Sequence, residues 1–117
     1  MWETKIIDKY PKTFASLKYF ECDKGWYSII DRVANFIEEY NNKIDNVEDH
    51  VVATQVKQKF GGLRFYISYI TNASEQDIQA IYDVINQAEK DSYTMCEVCS
   101  NPAKSTRWST LCDEHRH

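Results

Sequence analysis

The chain has 117 residues, 43% hydrophobic and 27% charged, with a formal net charge of −4. That length supports one domain with one modest core, and the composition excludes a mainly disordered chain. The excess of acid gives no global field to draw in nucleic acid. No apolar run approaches a membrane span, and the start MWETKIIDKY lacks a signal-peptide pattern, so a cytoplasmic protein with no membrane partner is expected.

Residues 1–24 are rich in aromatics and broken by Pro11, which suits the first turn of a short helix over PKTFASLKYF. In GWYSIIDRVANFIEEY, Trp26, Ile29, Ile30, Val33, Phe36, Ile37 and Tyr40 recur at helical spacing, and Asn41-Asn42 stands near the end. VVATQVKQ and LRFYISYI then switch to period two and predict a hairpin with Gly61-Gly62 at its turn. Val52, Thr54 and Val56 match Leu63, Phe65, Ile67 and Tyr69 on the core face. Gln55, Lys57 and Lys59 lie opposite, with Arg64, Tyr66 and Ser68. A second helix begins at Ser74, with Asp77 as its capping acid and a stripe of Ile78, Ile81, Tyr82, Ile85 and Ala88. A lone hairpin is marginal in water, so both helices must cover it. The fold class is α+β: two helices packed on a β-hairpin or small antiparallel sheet over residues 1–94, followed by a cysteine-bearing tail over 95–117, together one compact domain.

The tail reads MCEVCSNPAKSTRWSTLCDEHRH. Cys96 and Cys99 are spaced C-x2-C, Cys112 and His115 C-x2-H, and twelve residues separate the pairs. A two-residue gap lets one turn aim two donors at one point, so the set predicts a tetrahedral zinc site, with His117 as the rival fourth ligand. AKSTRWST suits a small hairpin and Leu111 to His117 a short helix, which makes the module treble-clef-like or ribbon-like. No H-x-E pattern accompanies the set. With histidines only at positions 50, 115 and 117, a structural ion is expected and no enzyme activity. Cys22 is read as a lone structural thiol and not as a nucleophile.

The order FECDKGWYSIIDRV, QVKQKFGGLRFY, CEVCSNPA and WSTLCDEH resembles a family of small, uncharacterised phage and prophage proteins over about residues 10–116. KFGGLRFY is the most specific piece, and Ser100 stands where family members often carry Gly. The resemblance implies a phage or prophage context but no reaction. Small phage proteins of this size are often regulators or inhibitors of host defence.

From Val51 to Ser74 there is no acid, only Lys57, Lys59 and Arg64. These three can contact phosphate, Tyr66 offers a stacking ring, and Gly61 and Gly62 would let a ligand approach the backbone. The plainer reading is the solvated side of a two-stranded sheet. Glu38, Glu39, Asp45, Glu48 and Asp49 form either a solvated face or a surface that mimics nucleic-acid charge. The sequence thus predicts a non-enzymatic binding protein of phage origin, an inhibitor of a host defence system acting on a host protein, nucleotide or nucleic acid. The alternative is a zinc-dependent nucleic-acid-binding regulator that reads through the tail. Three tail cations (Lys104, Arg107, Arg116) face three acids (Glu97, Asp113, Glu114), a poor footprint unless Arg107 and Trp108 extend the hairpin patch.

Overall fold

Trp26 has no solvent exposure and is the largest fully buried side chain, and the helix that follows it organises the core. The computed structural model describes residues 1–116. Its elements are α1 (Trp2–Lys9), α2 (Tyr27–Asn42), β1 (Ala53–Lys59), β2 (Gly62–Ile67), α3 (Glu75–Ser92), β3 (Lys104–Ser105) and β4 (Thr110–Leu111). The strands form two separate antiparallel pairs, β1-β2 and β3-β4. This is the expected α+β arrangement with one further helix. Helix α2 buries Ile29, Ile30, Val33, Ala34 and Ile37, the apolar stripe read from its 3.6 period, while Phe36 stays partly exposed.

The N-terminal helix lies upstream of the expected place. Residues 2–9 are helical, and 11–16 form successive turns instead of a helix over PKTFASLKYF. Proline carries no N–H to continue the ladder and disfavours helical backbone before it, so α1 ends ahead of Pro11. The turns instead find an acceptor across the fold. Glu38 accepts from the backbone N–H groups of Thr13 (2.8 Å) and Lys12 (3.2 Å) and from Thr13 Oγ1 (2.9 Å). Glu38 is therefore buried structure and does not belong to an acidic surface.

Two further side chains hold the sheet in place. Asn41 donates to the Val51 carbonyl and accepts from its N–H, both at 2.8 Å, so one buried amide replaces a strand neighbour. The segment before α2 covers the outer edge of β1, with Glu21 N donating to Val56 O and Gln58 N to Glu21 O. Exposed edge groups that would otherwise template pairing are thereby satisfied.

The hairpin pairs Val56 with Phe65, Lys57 with Arg64 and Lys59 with Gly62. Its two-residue turn is Phe60-Gly61, both with positive φ (54° and 83°), so the turn sits one residue earlier than Gly61-Gly62. An irregularity between Ala53 and Gln55 changes the phase of β1. Val51 and Ala53 point inward, Thr54 is exposed and Val52 only half-buried, which reverses the expected face N-terminal to Val56. On α3, Ser74 Oγ accepts from Asp77 N as expected. Ile81 and Ala88 are buried and Ile85 half-buried, but Tyr82 faces solvent.

Replacing Glu38 with Ala leaves two buried or half-buried N–H groups and a hydroxyl without their acceptor. Urea unfolding should show a loss of about 2–3 kcal/mol. A change within about 0.5 kcal/mol, typical of a surface site, would remove Glu38 from this role.

Candidate metal centre and the adjoining hairpin tips

The first donor pair is built by a tight loop just past α3. Cys96 N donates to Asn101 O (2.8 Å) and Ser100 N to Cys96 O (2.9 Å), closing the chain on itself. Ser100 takes a left-handed φ of 73°, the position where glycine is easiest. The β3-β4 hairpin, found within AKSTRWST and its flank as expected, returns the chain to the second pair. There Leu111–Arg116 does not start a helix. Strand β4 runs through Leu111, and a turn with His115 N donating to Cys112 O (3.0 Å) aims both donors. One turn suffices for a two-residue gap. His117, the rival ligand, lies outside the described residues.

The thiols of Cys96, Cys99 and Cys112 and one nitrogen of His115 all lie within 4.8 Å of one another, close enough to hold one metal ion. Cys99 and Cys112 Sγ are 3.6 Å apart, and His115 Nδ1 is 3.7 Å from Cys96 Sγ and 3.2 Å from Cys112 Sγ. None of the four cysteines is disulfide-bonded. Burial pushes the Cys96 thiol up, but hydrogen bonds from the backbone of Cys112, Cys99 and Val98 outweigh it and bring the group down to about 6. His115 is raised by the neighbouring Cys112 and Cys96 thiols. At Cys99 a hydrogen bond from the Asn101 backbone is outweighed by burial and by the neighbouring Cys112 and Cys96 thiols, which raise the group. The cluster therefore shares its protons, and a cation would occupy it by displacing them.

The loop is docked onto the core at two places. Trp26 Nε1 donates to Met95 O (2.8 Å), Gly25 N to Glu97 O (2.6 Å), and Ser100 Oγ to Gly25 O (2.6 Å). A Cβ on Gly25 would enter the Cys96 and Glu97 carbonyls, which are backbone atoms and cannot swing aside. At the second place Thr110 Oγ1 donates to Gly61 O (2.5 Å) and Gln58 Nε2 to Trp108 O (3.0 Å). A Cβ on Gly61 would stand 2.8 Å from Thr106 O, and one on Gly62 would stand 2.5 Å from the Tyr93 ring. The glycine pair thus admits the protein's own tail and α3 end where the sequence suggested a ligand.

The expected basic face is only partly brought together. Arg64 forms an ion pair with Glu89 and donates to Tyr93 Oη (3.3 Å), so α3 claims it. Lys57 shares its side of the sheet with Gln55 and with Glu21, which accepts from Gln55 Nε2 (2.7 Å). Tyr66 is 42% exposed on that face. Lys59 reaches the turn, its Nζ 5.5 Å from the Phe60 ring centroid. Phe60, the aromatic immediately before Gly-Gly in KFGGLRFY, is a ring held on that turn. Elsewhere, burial pushes the Cys22 thiol up to about 12, with Glu97, Asp23, Glu3 and Glu21 adding to the shift, so it is not primed as a nucleophile. Asp49 is held below the usual carboxylate range by hydrogen bonds from Thr71 and Asn72.

Comparison with family models, with curated proteins and with solved structures finds no match for this chain. No helix of the described residues is long and apolar enough to cross a membrane.

Gly25→Ala should lever the metal loop away from α2, lowering both the melting temperature and the retention of metal against a chelator. Gly61→Val combines a strained left-handed φ with a clash and should lower the melting temperature by several degrees. Differential scanning calorimetry reads both. Unchanged transitions in the two variants would mean that the tail does not rest on these glycines.

Proposed function

We propose that the protein is a non-enzymatic binding protein of phage origin, stapled by one structural zinc ion, that inhibits a host defence system in the host cytoplasm. The observation that carries the zinc staple is the convergence of three thiols and an imidazole from two turns, the first of which is engaged by the core through its backbone and Ser100. A zinc ion with Zn–S near 2.3 Å and Zn–N near 2.0 Å needs tetrahedral edges of about 3.6–3.8 Å. Of the six edges, those at 3.6 and 3.7 Å fit, the one at 3.2 Å would open slightly on ligation, and all lie within 4.8 Å. Bound there, zinc would supply a cross-link between the two ends of the tail and offset two of the three thiolate charges. Three thiols and an imidazole complete its coordination, which favours a structural role over a catalytic one.

Support for phage origin and for the inhibitor role is the resemblance carried by KFGGLRFY and the Cys/His spacing. Support for binding as the mode of action is a surface where two hairpin tips present Lys59, Phe60, Arg107 and Trp108 together. The partner is a host protein, a nucleotide or a nucleic acid. The runner-up, a zinc-dependent nucleic-acid-binding regulator, is favoured by the same tip, because Arg107 and Trp108 come from the tail.

Elemental analysis of protein purified without added metal should find one zinc per chain, with Cys112→Ser giving far less and a lower melting temperature. Expression of the wild type in defended bacteria should restore phage plating, and Cys112→Ser should not. A folded wild type without metal overturns the staple, and unchanged plating overturns the inhibitor role.

Acid supplies a separate check. A thiol held at about 6 contributes stability above its unfolded value near 9 that is lost as pH falls through the folded value. Bound zinc pushes that loss lower still, because protons must displace it. Release of zinc to a colorimetric chelator should therefore begin below pH 6 and coincide with loss of tail structure.

A further inference from the structure

Phe60 and Trp108 belong to different hairpins and stand side by side at the surface, 55% and 64% exposed, with ring centroids 6.3 Å apart and planes tilted by 51°. Neither ring contributes to the core. Phe60 occupies a left-handed turn position, where glycine or asparagine would be easier and where a ring more than half exposed adds little burial to offset the strain. Trp108 is carried on an ordered tip. Its own N–H and that of Ser109 both donate to Thr106 Oγ1 (3.2 and 3.1 Å), and Thr106 N donates to Ser109 O (2.7 Å). Gln58 Nε2 on the Trp108 carbonyl ties that tip to the first hairpin, so the spacing of the rings is set by the fold.

Each ring is accompanied by a cation. Lys59 Nζ lies 5.5 Å from the Phe60 centroid and Arg107 Cζ 4.9 Å from that of Trp108. Among the described residues neither cation forms an ion pair, whereas Arg64, Arg32, Lys9 and Arg116 all do. Two cations that form no ion pair, each beside an exposed ring, suit an anion with flat, apolar faces.

We propose that this tip is a stacking platform for single-stranded nucleic acid, with unpaired bases lying on Phe60 and Trp108 and phosphates meeting Lys59 and Arg107. It rests on the reading that the paired tips are the recognition surface and names the ligand for it. Unpaired strands expose base faces that a duplex hides in its stack, and stacking on aromatic rings is tolerant of sequence. Only two cations flank the rings, too few for the many phosphate contacts on which duplex binding depends.

The test uses the zinc-loaded full-length protein and a fluorescein-labelled oligodeoxythymidylate, read by anisotropy at low salt and by quenching of tryptophan fluorescence. Binding is expected to weaken with salt with a slope near −1.4, about −0.7 for each of two phosphates. Trp108→Ala and Phe60→Asn should each weaken it about tenfold or more with the melting temperature unchanged, because asparagine suits the left-handed turn and Trp108 is exposed. A duplex of the same length should bind less well. No binding by the wild type at low salt, or full binding by both variants, overturns the proposal. If the wild type ignores the oligonucleotide while Trp108→Ala loses the plating phenotype, the tips dock a protein instead. In that case the nucleic-acid assignment falls and the binding-protein reading stands.

Discussion

The rest of the structure depends on the hydrogen bond from the Trp26 indole to the Met95 carbonyl. Trp26 is the largest fully buried side chain, and a buried indole N–H needs an acceptor. Its acceptor belongs to the loop that also presents Cys96, and that loop is shaped by its own turn and by the donor cluster. The core therefore cannot finish packing until the tail has docked, and the tail, with few apolar residues of its own, cannot hold its shape without the core or an ion. Gly25 makes the contact possible by leaving room for two carbonyls. A metal ion held by the donor cluster would in this way be linked to the stability of the core.

The same economy governs the two hairpins. The first turn, Phe60-Gly61, is contacted from the side by Thr106, Ser109 and Thr110 of the second, and the glycine carbonyl accepts from Thr110 Oγ1. Two hairpins that are each too short to be stable alone are thereby fixed against one another. Their tips are set in a defined relation, and Phe60 and Trp108 share a surface although 48 positions separate them in the chain.

Electrostatics follow the packing. The acid-free stretch from Val51 to Ser74 is a feature of the chain order, and in space it is answered by Glu89 from α3 and Glu21 from the segment before α2. What remains cationic is the hairpin end, where Lys59 joins Arg107. The acidic run around the end of α2 is likewise divided, with Glu38 turned inward to hold Lys12 and Thr13, and Asp49 holding Thr71 and Asn72.

What the sequence determined by itself was set by short-range spacing. Helix α2 and its stripe, the Ser74 cap of α3, the existence of the hairpin and the two closely spaced donor pairs all follow from interactions between near neighbours in the chain. Tertiary structure decided the rest. Helix α1 leaves a weak signal because Trp2, Ile6 and Tyr10 form a stripe only about two turns long, next to a proline. The inward phase of Val51 and Ala53 depends on an irregularity in β1 and on Asn41 gripping Val51 from another element. The turn fell at Phe60-Gly61 because Gly62 is needed in β2, where the Tyr93 ring leaves no space for a Cβ. Whether a charged residue serves a ligand or the fold is the least local property of all: Arg64 and Lys59 look alike in the chain, and only the position of Glu89 on a distant helix separates them.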